Sequence, residues 1–187
     1  MDLILLQLSD ALLTSVNGVG MAGWDVSVNP GTLGFDASKC VELVSINQGI
    51  QQKVTTDVSE SARTSGRAII SDFTCVKYVD VISPKLYEYC LQVKTLDSPD
   101  SPCIIHILRN SGDQLSLLMQ FGLTNVLINE IQFQSHPDDM ATEQFKLNFT
   151  EISWVHCQRR PGSLNEGYVS TGWSIAANRP ITPALTP

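Results

Sequence analysis

The chain has 187 residues, 43% of them hydrophobic and only 17% charged, with a formal net charge of −7. That length suits one domain, residues 1–187, with a core of its own, while the acidic balance, with Arg159-Arg160 as the one adjacent basic pair, excludes the Lys/Arg cluster that nucleic acid or an anionic membrane surface requires. A charge fraction below the usual ~25% predicts a surface partly covered by other copies of the chain.

The start, MDLILLQLSD, has no positive leader, and Asp2 and Gln7 bracket its short apolar run. It is expected to be a first strand and not a signal peptide, and no stretch has the length of a membrane span. Residues 9–38 are punctuated by Gly18, Gly20, Gly23, Pro30, Gly31 and Gly34. They read as a long loop insertion with a hairpin around Trp24–Val28. Cys40–Asn47 is the second strand. Residues 48–66 are rich in Ser, Thr and Gln and lack a helical stripe, which predicts an extended polar arm or wide hairpin. Ala68–Val79 is the third strand.

At Ser83-Pro84 the period changes. Serine at a cap and proline at the first helical position start a helix, and Leu86, Cys90 and Val93 give it one buried stripe over about three turns. Lys94 lies near its negative end, and Asp97–Pro102 breaks the chain. Strands are then expected at Cys103–Arg109, Gln114–Phe121, Leu123–Gln134 after a bend at Gly122, Glu143–His156 and Tyr168–Ile175, with turns at Asn110–Asp113 and His136–Asp139 and a proline-containing tail at 178–187. In Glu143–His156 the apolar set Phe145, Leu147, Phe149 gives way to Ile152 and Trp154, a phase switch that marks a bulge or a crossing between buried faces. The sum is an all-β fold with one helix, an antiparallel barrel or sandwich of about eight strands.

No catalytic constellation stands out. Cys40, Cys75, Cys90, Cys103 and Cys157 form no close pair; Cys75 shares a face with Phe73, Cys90 lies in the helix stripe, and Cys103 leads an apolar run, so these thiols read as core and not as nucleophiles. His156-Cys157 points to opposite faces of a strand, His106 sits in an apolar strand as a satisfied core histidine, and neither Cys-x-x-Cys nor a phosphate loop is present. No cofactor, no metal site and no enzyme activity are expected.

Asp72-Phe73-Thr74-Cys75-Val76-Lys77-Tyr78-Val79-Asp80, followed by Ser83-Pro84-Lys85-Leu86, resembles the strand-to-helix signature of the Hcp family, the tube subunits of bacterial type VI secretion systems. Thr124–Ile128, Glu143–Phe149 with Ile152-Ser153-Trp154, and Gly172-Trp173 with Asn178 resemble later parts of that family in order, and Leu5–Asp10 resembles its start. The resemblance implies a small β-barrel with one helix. It implies homohexameric rings that stack into a hollow tube carrying effector proteins, with sheath and spike or baseplate proteins as partners. Such a tube assembles in the bacterial cytoplasm and is exported by the machine itself, without a signal peptide. By the same resemblance the arm, with Gln51, Gln52, Lys53, Thr55, Thr56, Asp57 and Arg63, is the loop that packs on a neighbouring subunit or ring. The insertion at 9–38 and the number of cysteines depart from the family. A tail tube protein of a phage or related injection system shares the architecture, and a cysteine-dependent hydrolase is the reading from another class.

Overall fold

Alternating apolar and polar residues draw most of the described chain into antiparallel strands. The computed structural model describes residues 2–9, 35, 39–56, 63–98, 103–110, 115–158 and 167–183. The strands are β1 (Asp2–Gln7), β2 (Cys40–Leu43), β3 (Ser45–Asn47), β4 (Ile50–Gln51), β5 (Val54–Thr56), β6 (Arg63–Ser65), β7 (Ile69–Ile70) and β8 (Phe73–Tyr78). After helix α1 (Ser83–Gln92) come β9 (Cys103–Asn110), β10 (Leu115–Thr124), β11 (Leu127–Gln134), β12 (Thr142–Asn148), β13 (Glu151–Gln158), β14 (Gly167–Ser174) and β15 (Arg179–Ile181). A seven-stranded sheet runs in the order β15-β14-β13-β10-β9-β1-β2, and a four-stranded sheet in the order β11-β12-β8-β3. Leu6, Val41, Ile105, Leu123 and Ile152 of the first meet Phe73, Cys75, Ile128, Phe145 and Leu147 of the second in one core, joined by Leu86 of α1.

Three corners pass the chain from one sheet to the other. Val44 separates β2 from β3 and donates its N–H to Val76 O at 2.7 Å. Asn125, with φ of 53°, lies between β10 and β11. Its N–H and that of Val126 are both held by the Asp97 carboxylate, at 2.9 and 2.7 Å. The third corner, Phe149–Thr150, divides the expected strand 143–156 into β12 and β13 of different sheets, which is the physical content of its phase switch.

Several expectations are corrected in detail. Gly122 is no bend: it sits within β10, paired with Ile104 and Ser153, and the turn falls at Asn125. The third strand is divided into β7 and β8, and the tail contributes β15 to the edge of the larger sheet. Val93 leaves the helix stripe, since it takes the left-handed position that ends α1 and is 67% exposed; a left-handed residue turns its side chain away from the helix face. The segment 9–38 lies outside the described residues apart from Ser9 and Phe35, as do Trp24–Val28, residues 111–113 and Asp57.

The second face of the larger sheet is also buried. Leu5, Cys40 and Leu108 cluster there with Leu3, Phe35 and Leu117. His106 lies among them, with Phe35 stacked on its ring at 3.8 Å. Its two ring nitrogens meet Gln7 Oε1 at 3.0 Å and Gln120 Nε2 at 3.1 Å. One nitrogen therefore donates and the other accepts, the bonding of a neutral imidazole. Burial drives its pKa down to about 3, as it must for a group whose charged form would lose its hydration.

Below pH 6.5 the unfolded chain binds a proton that the folded chain refuses until about pH 3, so stability falls as pH drops through that window. From pH 6.5 to 5, above the range of ordinary carboxylates, this one group lowers stability by about 2 kcal/mol, at ~1.4 kcal/mol per pH unit. Urea unfolding at several pH values should show that slope in the parent protein and lack it in His106→Gln.

Candidate assembly interface

The signature between Asp72 and Leu86 builds a corner. Phe73, Cys75 and Lys77 alternate along β8 onto its buried face. Glu143, Phe145 and Leu147 do the same along β12, and the antiparallel register sets Lys77 directly opposite Glu143. The two side chains are buried, at 0% and 1% residue exposure, and join at 2.9 Å. Lys77 Nζ also donates to Tyr78 O at 2.8 Å, pairs with Asp80 Oδ1 at 2.9 Å and lies 3.3 Å from Ser83 Oγ, so its three protons are shared among four acceptors. Ser83 Oγ donates to Glu143 Oε1 at 2.8 Å and accepts the Asp80 N–H at 3.0 Å, while Asp80 Oδ1 accepts the Ile82 N–H at 3.0 Å.

This network corrects the reading of the helix start. Ser83 does not cap α1; Ile82 holds that position, and the serine hydroxyl is turned inward to the carboxylate. Pro84 stands in the first turn, one place beyond the expected first helical position. Lys77 is the most enclosed cation of the signature. Glu143 was missed as a partner. The signal was present, because the alternation Glu143, Phe145, Leu147 places a carboxylate on an apolar face, where it requires a cation.

The remaining signature residues are placed as follows. Asp72 holds Asn129 Nδ2 at 2.6 Å and Asn148 Nδ2 at 2.8 Å, tying β11 to β12. Phe73 meets Phe121 edge to face at 5.2 Å, and Leu86 is buried in the core. Thr74 lies half-buried on the outer face of its sheet and Tyr78 is exposed. Lys85 pairs with Glu88 at 2.8 Å on the helix surface, and Lys94 lies 5.6 Å from the Tyr89 ring centre. Trp173 packs against the core, half-buried. A Cβ added to Gly172 would sit 2.8 Å from Ile181 Cγ1 and 3.1 Å from Ile181 O, so the glycine lets β15 lie against β14.

The arm is a long ladder outside both main sheets. β4 pairs with β7 and β5 with β6, in sequence with the β3–β8 pair. Gln52 Nε2 bonds Gly66 O at 3.3 Å, and Gly66 N bonds Lys53 O at 3.1 Å. Gln51, Gln52 and Lys53 are exposed, and Thr55, Thr56 and Arg63 stand in β5 and β6. Ile50, Val54 and Ile69 on the same ladder are each more than half exposed. The structure thus sets the described arm residues along one hairpin and joins Lys77, Asp80 and Ser83 at one corner, while Asp72 and Phe73 lie at the other end of β8 and Gly172 and Trp173 in the other sheet.

Thiol chemistry gains no support from the two cysteines of the inner core. Burial raises the Cys75 thiol to about 12 and the Cys103 thiol well above its ordinary value, so neither is a thiolate near neutrality. Among the described residues no group of His, Cys, Asp and Glu gathers as a metal site, and no helix is long and apolar enough to cross a membrane.

Comparison with known proteins bears on the same elements. Residues 36–156 match the family model described as type VI secretion system effector, Hcp. No curated protein sequence matches this chain. Among solved structures, a type six secretion system protein aligns with TM-score 0.74 at 18% identity, over 97% of this chain and 100% of that one. Hcp1 from Salmonella typhimurium aligns with TM-score 0.66 at 15% identity, over 96% and 99%. The secreted protein Hcp3 from Pseudomonas aeruginosa aligns with TM-score 0.51 at 13% identity, over 90% and 95%. At such identities these three likenesses speak for the fold.

Lys77→Met removes the cation and leaves Glu143 buried and uncompensated, which should cost ~3–5 kcal/mol; Lys77→Met with Glu143→Met together should regain most of that in the same denaturation experiment. Gly172→Ala should cost ~1–3 kcal/mol by crowding β15, and should speed amide hydrogen exchange at Arg179–Ile181 before the rest of the sheet.

Proposed function

Because the chain belongs to the Hcp family, we propose that it works as the tube subunit of a type VI secretion system through six-membered rings that stack on one another. The observation that carries the assembly is the arm. Its strands pair with each other and with neither main sheet, and it holds three exposed aliphatic side chains, Ile50, Val54 and Ile69, on a polar ladder. A strand pair with free backbone groups and apolar side chains is suited to add to a neighbouring subunit. Gln51, Gln52, Lys53, Thr55, Thr56, Asp57 and Arg63 supply the polar part of that contact.

A closed six-fold ring joins unlike faces, so each subunit needs a second surface complementary to the first. The exposed Tyr168 and Val169 in the first half of β14 are suited to it. There the strand runs beyond β15, which pairs only with Gly172–Ser174. Effector proteins in the lumen, and sheath and spike or baseplate proteins outside it, complete the assembly. The subunit is assembled in the bacterial cytoplasm and leaves with the tube, to the extracellular space or a target cell.

Deleting Gln51–Ser65 should leave a folded subunit, with parent-like circular dichroism and a cooperative melt, and should abolish stacked rings in electron micrographs. Unchanged stacking would remove the arm from the assembly. A parent protein that stays monomeric at all concentrations and salt conditions would count against the tube itself.

A further inference from the structure

The arm carries the inner face of the smaller sheet beyond the end of the core. From Asn47 to Ile50 its outgoing strand advances three residues, while the return strand, from Thr74 to Ile70, advances four. Gln51 to Val54 against Ile69 to Ser65 repeats the difference. Both extra residues thus lie on the return strand, as bulges, and the outgoing strand keeps its alternation. Ile46, Ile50 and Val54 therefore share one face. Ile46 packs against the core, and so does Ile70, the partner of Ile50. Ile50 and Val54 continue that face at 56% and 55% exposure. A sheet face of core character needs a second layer, and here it stands open. The root of the hairpin is fixed: Ser71 Oγ accepts the Gly49 N–H at 2.8 Å and donates to Gly49 O at 3.0 Å.

The other end of β8 carries a matching surface. The arm returns to β8 just before Phe73, and Tyr78 ends the strand. There Val79 donates its N–H to Ala141 O at 3.0 Å, which sets the turn before β12 beside the turn before α1. Tyr78, Val79, Val81 and Met140 are all exposed at this corner, from 39% for Val79 to 64% for Met140. Asp80, Asp138 and Asp139 are exposed around them. The segment 48–67 has the opposite balance, with Lys53, Arg63 and Arg67 against Asp57 and Glu60 in a chain of net charge −7. One end of the strand thus offers an apolar face with a positive balance, and the other an apolar corner ringed by carboxylates.

We propose that the open face of the arm, through Ile50 and Val54, seats on the corner of Tyr78, Val79, Val81 and Met140 of a second copy of this chain, in the next ring. This rests on the stacking put forward above and gives the arm its receptor. Two complementary surfaces at opposite ends of one strand meet when copies follow one another head to tail, a relation that repeats without closing. The opposite charges steer the two ends together and set the register. The aliphatic side chains then leave water. Each contact is small, but six made at once hold two rings where a single one is too weak to hold two lone subunits. Closure of the ring uses other surfaces, so loss of this contact separates rings and leaves each ring whole.

The test uses the full chain. Val81→Asp with Met140→Asp puts charge into the corner. It should leave single rings in electron micrographs and raise the protein concentration needed for stacks at least about tenfold, as the six contacts weaken together. In a second measurement, chains with Val54→Cys and chains with Met140→Cys are mixed and treated with a short bis-maleimide. A linked pair should form in the mixture several-fold above either chain alone. This link decides the matter where the two aspartates impair folding. Stacks of the aspartate variant at the parent's concentration overturn the corner as receptor and leave the tube reading standing, as do stacked rings without the linked pair. Rings of the variant that fall apart into subunits place the corner within the ring and overturn the proposal too. A parent protein that forms no rings overturns both readings.

Discussion

The contact between Lys77 and Glu143 is the constraint around which the smaller sheet and the helix are arranged. At 2.9 Å, the attraction of two unit charges is roughly 6 kcal/mol at an effective dielectric constant of ~20. Removing both ions from water costs several kcal/mol each. The pair therefore adds little net stability, and its effect lies in what it forbids. A one-residue slip of β8 against β12 would turn one charge outward and leave the other buried alone, at a cost of ~3–5 kcal/mol. The same slip would turn Phe73 and Cys75 to the wrong face, away from Phe145 and Leu147. Charge and hydrophobic pattern thus select one register together.

The corner extends this selection to the helix. Asp80 and Ser83 each bond both the backbone of the turn and the buried charges. The direction of α1 is therefore fixed by the same ions that fix the strand register. Leu86 then falls into the core between the sheets. A helix whose cap is a serine in solvent would have no such dependence. At the far corner Asp97 plays a comparable part with backbone donors only, holding the amides of Asn125 and Val126 where β10 leaves one sheet and β11 enters the other.

Local patterns in the sequence make much of this legible. Alternation identified the strands, the Ser-Pro pair located the helix start, and the phase switch after Glu151 marked a crossing between faces, because side-chain period is a property of a few neighbouring residues. What escaped depends on pairing over long separations. Lys77 and Glu143 are 66 residues apart, so neither local pattern reveals that the other is its partner. The inward turn of Ser83 has the same cause. Gly122 was misread as a bend since glycine is a breaker by default, whereas here it is a mid-strand residue between Ile104 and Ser153. The polarity of 48–66 showed an arm, but its ladder had to be seen to place Ile50 and Ile69 opposite neighbours on it.

The thin charge of the chain, 17% of residues, acquires a physical sense beside that ladder. Part of it is spent inside: Lys77 and Glu143 are withdrawn from the surface altogether, and Asp97 is turned to backbone amides. The surface left is thinly charged, though acidic in balance, and Leu91, Val169, Met140 and Phe133 are among its exposed apolar residues. Scattered singly, exposed apolar residues call for no explanation. On an arm with unpaired strand edges they do, because the same edge that makes ordered addition of a neighbour possible makes disordered addition possible too. A ring-forming subunit satisfies both demands when its edges meet complementary edges and are closed by symmetry.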